Sequence, residues 1–152
     1  MKADSTTHGR KFPAGAEASS GGVHFRVWAP VRRHIEVVFE SNGQVQADCV
    51  ELESEGQGYF SALVTAEPGM RYRFRVDGQQ QLCPDPASRF QPEGPFGPSQ
   101  IVDPKAFAWT DANWPGVSLP GQVIYELHVG TFTPEGTWDA ARRQLPELAS
   151  MG

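Results

Sequence analysis

The sequence has no long hydrophobic run: none of its 152 residues belongs to a stretch approaching the ~18 apolar residues of a membrane-spanning helix. Cysteine is scarce. Cys49 and Cys83 are too few and too far apart for a metal site or a disulfide framework, and read as reduced thiols. Positive charge is in deficit as well, with 13 basic against 18 acidic residues and a formal net charge of −5. A nucleic-acid-binding domain would show a basic face, so that class is excluded. Residues 1–11 are polar and lack the apolar stretch of a secretory signal. These absences predict a cytoplasmic protein with no nucleic-acid or membrane partner, beginning in a disordered tail over 1–11.

Catalytic motifs are missing too. His8, His24, His34 and His128 are scattered without the spacing of metal ligands, so no metal or other cofactor is expected. No serine sits in a Gly-x-Ser-x-Gly elbow, and Gly94-Pro95-Phe96-Gly97 lacks the lysine and helix of a phosphate loop. Glycosidase chemistry needs two carboxylates about 5 Å apart or wider, and no stretch offers an obvious pair. Asp85, in Pro84-Asp85-Pro86, and Asp103, in Val102-Asp103-Pro104, read as turn residues bonding nearby backbone. No catalytic residue is therefore assigned in this chain.

What is present is a β pattern rich in turns, with 16 Gly and 13 Pro. Val23, Phe25 and Val27 alternate with His24, Arg26 and Trp28, a half-buried strand ended by Pro30. Ile35, Val37 and Phe39 alternate in the same way, Asn42-Gly43 is a hairpin turn, and a return strand runs from about Val45 to Leu52. Gly56-Gln57-Gly58 turns the chain into a strand over 59–65, closed by Pro68-Gly69. Tyr72, Phe74 and Val76 alternate with arginines up to Asp77-Gly78, and short strands follow over 79–83 and 100–103. Short alternating strands at this spacing predict an immunoglobulin-like antiparallel β-sandwich over 12–104.

Over 84–120, prolines mixed with Phe90, Phe96, Phe107, Trp109 and Trp114 suggest an ordered stretch lying across apolar surface, whose last part, 105–120, is the connector between domains. Beyond it, Gln122 to Phe132 is dense in β-branched and aromatic residues and predicts a strand. A helix should start at Thr137 as N-cap, with Asp139 in its first turn and one face of Trp138, Ala141, Leu145 and Leu148 buried. Asp139 and Arg143 are spaced to pair, and Pro146 predicts a kink or break near Leu145. A strand followed by a helix is half of a βαβ unit, so 121–152 reads as the first part of a parallel barrel. The chain is then expected to be the front end of a longer protein.

Binding candidates follow from exposure chemistry. Trp28, Trp109, Trp114 and Trp138 can each serve either a core or interface, or a platform on which a pyranose stacks. On the strand from Gln122, parity sets Ile124, Glu126 and His128 apart from Tyr125, Leu127 and Val129. His128 would lie nearer the C-terminal end of a barrel strand, as pocket lining or as polar core fill.

Val23 to Pro30 resembles the opening strand of the N-terminal domain of α-amylase-type glucan enzymes. Val123 to Phe132 resembles their first barrel strand. Pro84 to Phe90, Gly97 to Pro104 and Thr131 to Thr137 are more restrictive, and the ordered set resembles the malto-oligosyltrehalose trehalohydrolases more than branching or debranching enzymes. The resemblance covers about residues 12–152. It implies a carbohydrate-binding-module-like sandwich followed by an incomplete TIM-type barrel, from a retaining glycoside hydrolase that releases trehalose from maltooligosyl trehalose. It also implies an Asp nucleophile, a Glu acid/base and a second Asp on later barrel strands, none of whose motifs occurs in this sequence. The chain alone is expected to be inactive, with α-glucan or maltooligosyl trehalose and the rest of the barrel as partners. The alternatives are the front part of a branching or debranching enzyme, and a stand-alone glucan-binding module.

Overall fold

The computed structural model describes residues 10–41 and 43–151. They divide into two units, one ending at Ala108 and the other starting at Trp109. The first unit is an antiparallel β-sandwich, as the alternation predicts. One sheet has the order β1-β2-β6-β5, formed by β1 (Gly15–Ser19), β2 (Gly22–Trp28), β6 (Tyr59–Val64) and β5 (Glu53–Gly56). The other has the order β4-β3-β7-β8, from β4 (Gln44–Glu51), β3 (Ile35–Ser41), β7 (Arg71–Val76) and β8 (Leu82–Cys83). A short β9 (Ser99–Gln100) adds to the edge of β7 beside Arg71 and Tyr72, while β8 takes the same edge beside Phe74 and Arg75.

The core lies between the sheets and is built from residues of one parity. Val23, Phe25 and Val27 of β2 meet Ile35, Val37 and Phe39 of β3 and Tyr72 and Phe74 of β7, all buried. The Phe25 ring sits edge-on to Tyr72 at 4.8 Å and to Phe39 at 6.1 Å, a geometry that suits the aromatic quadrupole. Leu52 is the corner where the chain leaves the second sheet for the first. Its side chain enters the core and its amide donates to the Ile35 carbonyl at 2.8 Å.

Turn chemistry sets the registers. Asp77 and Gly78 both adopt positive φ, 49° and 70°, and Gln79 N donates to Val76 O at 3.0 Å, the expected tight turn after β7. The turn expected at Asn42-Gly43 is described only at Gly43, since Asn42 lies outside the described residues. Two short strands escaped the sequence pattern. β1 contains no β-branched or aromatic residue, and β5 is short and polar; both form because β2 and β6 offer free edges. The last predicted strand is shorter than expected and earlier, Ser99–Gln100 rather than 100–103, although Ile101 still exchanges hydrogen bonds with Gly69 and Met70.

The tail expected through Lys11 is ordered at its end. Arg10 donates to the carbonyls of Phe12, Gly15 and His24, and the Lys11 amide donates to Glu17 at 2.8 Å. Residues 1–9 lie outside the described residues.

The second unit departs furthest from expectation. No strand forms over 122–132. Residues 122–128 are irregular, and Val129–Phe132 makes one helical turn, α1, whose Thr131 and Phe132 amides donate to His128 O at 3.0 and 2.9 Å. A strand there would need a neighbour for its backbone ladder, and no described strand pairs with the segment. Val123, Ile124 and Tyr125 are consequently exposed.

The helix α2 (Trp138–Ser150) begins as expected. Thr137 Oγ1 accepts from Ala140 N at 3.2 Å and Asp139 lies in the first turn. Its packing differs. Ala140 and Ala141 are buried, whereas Trp138 and Leu145 are exposed. The helix runs through Pro146 without a break. Proline removes one N–H but leaves the rest of a 13-residue ladder intact. Arg143 pairs with Glu135 at 2.9 Å and Asp139 with Arg142 at 3.7 Å, in place of the expected Asp139–Arg143 pair. The connector aromatics Phe107, Trp109 and Trp114 are exposed.

Candidate functional site

The period of two that buries Val23, Phe25 and Val27 sends His24, Arg26 and Trp28 to the outer face of the first sheet. There β2 pairs with β6 so that Trp28 stands opposite Tyr59, Arg26 opposite Ser61 and His24 opposite Leu63. Trp28 is 58% exposed. Its Nε1 donates to the Gln57 carbonyl at 3.2 Å, which fixes one edge of the indole and leaves much of its surface open.

The turn below Trp28 is tightly built. Ala29 N donates to Gly58 O at 2.7 Å, and Gly58 has φ +82°. A Cβ there would sit 2.5 Å from Pro30 Cα, so only glycine permits this approach. Beside Trp28, the Arg26 guanidinium lies 3.7 Å over the Tyr59 ring and contacts Glu55 at 2.8 Å. The pairing raises the Arg26 pKa, chiefly through its hydrogen bond to Glu55, and the same bond holds Glu55 below the usual carboxylate range. This face therefore offers an aromatic plane, a second ring locked under a cation, and fixed polar edges. Such a surface can stack an apolar sugar face and bond its hydroxyls.

A second cluster is interior. Asp85 is only 2% exposed and accepts from Tyr72 Oη at 2.6 Å and from Ala87 N at 2.7 Å. Its own amide donates to Ser99 Oγ at 3.0 Å. Burial pushes the Asp85 carboxyl up, against the lowering effect of Tyr72 and Ala87, and burial beside that carboxyl pushes the Tyr72 phenol up. The expectation that Asp85 and Asp103 are turn residues is met. Asp103 Oδ1 accepts from Lys105 N at 2.9 Å and caps the 3-10 turn Pro104–Ala106. What the local sequence did not reveal is that Asp85 also bolts the segment after β8 onto β7, because Tyr72 and Ser99 are remote in sequence.

The binding candidates fall in both units. Trp28 belongs to the first, while Trp109, Trp114 and His128 belong to the second. Trp109 and Trp114 are exposed, and Trp114 N closes a turn on Asp111 O at 2.8 Å. His128 is exposed and caps α1 from its carbonyl, with Nδ1 3.4 Å from Thr131 Oγ1. Glu126 is exposed as well. Arg26, Glu55 and Tyr59 were not singled out from the sequence. Parity places Arg26 beside Trp28, but Glu55 and Tyr59 join it only through the β2–β6 and β5–β6 pairings.

Among the described residues, no group of three or more His, Cys, Asp and Glu side chains is arranged to hold a metal ion. No described helix is long and apolar enough to cross a membrane.

The chain is 40% identical over 149 residues to malto-oligosyltrehalose trehalohydrolase of Deinococcus radiodurans, covering 97% of this chain and 24% of the relative. It is 33% identical to the 1,4-alpha-glucan branching enzyme GlgB of Bordetella parapertussis, covering 89% and 21%. A crystal structure of a Salmonella typhimurium protein assigned as an alpha amylase superposes with a TM-score of 0.78 at 38% identity, over 92% of this chain and 23% of that one. The chain thus spans about a quarter of the length of the curated relatives it matches. The resemblance to the trehalohydrolase group drawn from the motifs is upheld. The family model of carbohydrate-binding module 48, the isoamylase N-terminal domain, matches residues 13–104, almost the whole of the described sandwich. The chain belongs to the carbohydrate-binding module 48 family.

Proposed function

We propose that the chain is the N-terminal part of a cytoplasmic glycoside hydrolase of the trehalohydrolase type. The parent enzyme cuts the α-1,4 bond next to the terminal trehalose unit of a maltooligosyl trehalose and releases trehalose. The observation that carries this reading is the 40% identity over 149 residues to a trehalohydrolase, against 33% to a branching enzyme. The domain division is a sandwich over 12–104, a connector over 105–120 and the start of a TIM-type barrel over 121–152. The catalytic carboxylates belong to later barrel strands, and the chain alone hydrolyses nothing.

The test is a product assay on the protein expressed from the full coding sequence. Maltooligosyl trehalose should yield free trehalose, and the 152-residue chain should yield none. New branch points or debranched chains in place of trehalose would move the parent enzyme to the branching or debranching group.

A second reading rests on Trp28. Its open indole beside Tyr59 favours glucan binding by the sandwich on its own. Titration with maltoheptaose should change the tryptophan fluorescence, and Trp28→Ala should weaken binding by about tenfold, the loss of one stacking contact worth ~1.4 kcal/mol. An unaltered affinity in the variant would remove Trp28 from the binding face.

A further inference from the structure

A cleft of about 320 Å³ opens at the free edge of the first sheet, between residues 10–12, β1 and the segment 102–105. Its charged lining is unevenly committed. Both carboxylates are already engaged. Glu17 accepts from the amides of Lys11 and Phe12 and faces Arg10 at 3.8 Å, and Asp103 caps the 3-10 turn. The Arg10 guanidinium is equally spent, on three backbone carbonyls and on His24 Nδ1.

Two cations, Lys11 and Lys105, remain open and a third, Arg89, is partly engaged. Arg89 gives one N–H to the Ala16 carbonyl and stacks 4.3 Å over the Phe12 ring, and among the described residues its other N–H groups meet no acceptor. The ammonium groups of Lys11 and Lys105 likewise have no carboxylate partner among the described residues, and both side chains are exposed. Phe12 and Leu63 give the cleft an apolar wall. The open ammonium groups of Lys11 and Lys105, with the partly engaged Arg89 guanidinium between Ala16, Phe12 and the field of Asp85, line a small volume with an apolar wall, which suits an anion attached to a compact, partly apolar body. In a chain of net charge −5 this local excess is not a general surface property.

We propose that this cleft binds a phosphorylated monosaccharide, with Lys11, Arg89 and Lys105 holding the phosphate and the sugar ring lying against Phe12 and Leu63. The site lies within the first unit and does not depend on the proposed hydrolase activity. Glucose 6-phosphate is the probe, titrated calorimetrically into the 152-residue chain. Binding in the range of about 1 mM or tighter is expected, with glucose itself binding at least about tenfold more weakly. The double substitution Lys11→Glu with Lys105→Glu should weaken glucose 6-phosphate binding by at least about tenfold. Raising salt from about 0.05 to about 0.5 M should weaken binding in the unsubstituted chain, which keeps the test independent of how the variant folds. No binding at about 10 mM, a salt-independent affinity, or glucose binding as tightly as its phosphate would overturn the proposal.

Discussion

Asp85→Ala is expected to destabilise the sandwich by about 2–4 kcal/mol, enough to lower Tm by roughly 10–20 °C in a domain of this size. The substitution removes two acceptors from the interior at once. Tyr72 Oη and Ala87 N both lose their partner, and each buried donor left unmade costs about 1–3 kcal/mol. Relief of the carboxylate's own desolvation returns part of that. Asp85→Asn should cost much less, because the amide oxygen still accepts from Ala87 and its NH₂ can donate to the phenol oxygen.

The unsubstituted chain and Asp85→Asn also differ in how their stability depends on pH. Burial raises the Asp85 pKa in the folded chain above its ordinary value of 3.8. A raised acid pKa means that the folded state binds the proton more tightly. The contribution is fully present below about pH 3.8 and is lost as pH rises through the folded value. Glu55 has the opposite sign. Arg26 depresses its pKa, so its contribution is present above the ordinary value of 4.5 and is lost as pH falls through the depressed one. Asp85→Asn should therefore gain on the unsubstituted chain as pH rises from about 3 to about 7 in urea denaturation. A constant difference between the two across that range would show that Asp85 has no raised pKa.

The sandwich was legible because its information is local. Alternation in β2, β3 and β7 and the dipeptide Asp77-Gly78 specify strands and turns within a few residues, and the buried parity follows directly. β1 was not legible, since Gly15-Ala16-Glu17-Ala18-Ser19 has poor strand propensity. It forms through pairing with β2 and through guanidinium groups that bond its carbonyls, Arg10 on Gly15 and Arg89 on Ala16. His24 shows the same limit. Its parity points it outward, yet it is buried because Arg10 covers it. Trp28 was legible as a candidate, but the Arg26–Glu55–Tyr59 setting around it needed three strands to be brought together.

The segment 122–128 illustrates the reverse failure. Its composition is that of a strand, and composition says nothing about whether a neighbour is at hand. A β ladder is a property of two segments, so a strand-forming sequence without a partner leaves its amides to water. Pro146 fails for a similar reason: the local penalty is real, but one missing hydrogen bond does not end a helix capped by Thr137 and continued to Ser150.

Hydrogen exchange resolved by residue separates these cases in a single experiment on the 152-residue chain, repeated on the protein from the full coding sequence. In the chain alone, amides of β2, β3 and β7 should be protected up to the global stability of the sandwich, by several orders of magnitude. Amides 123–127 should exchange almost as fast as in an unstructured peptide, because no backbone acceptor is assigned to them among the described residues. In the longer protein the same amides should become protected as a barrel strand pairs with its neighbour. Strong protection of 123–127 in the monomeric 152-residue chain would contradict the account, because the segment would then be satisfied within the sandwich fragment itself.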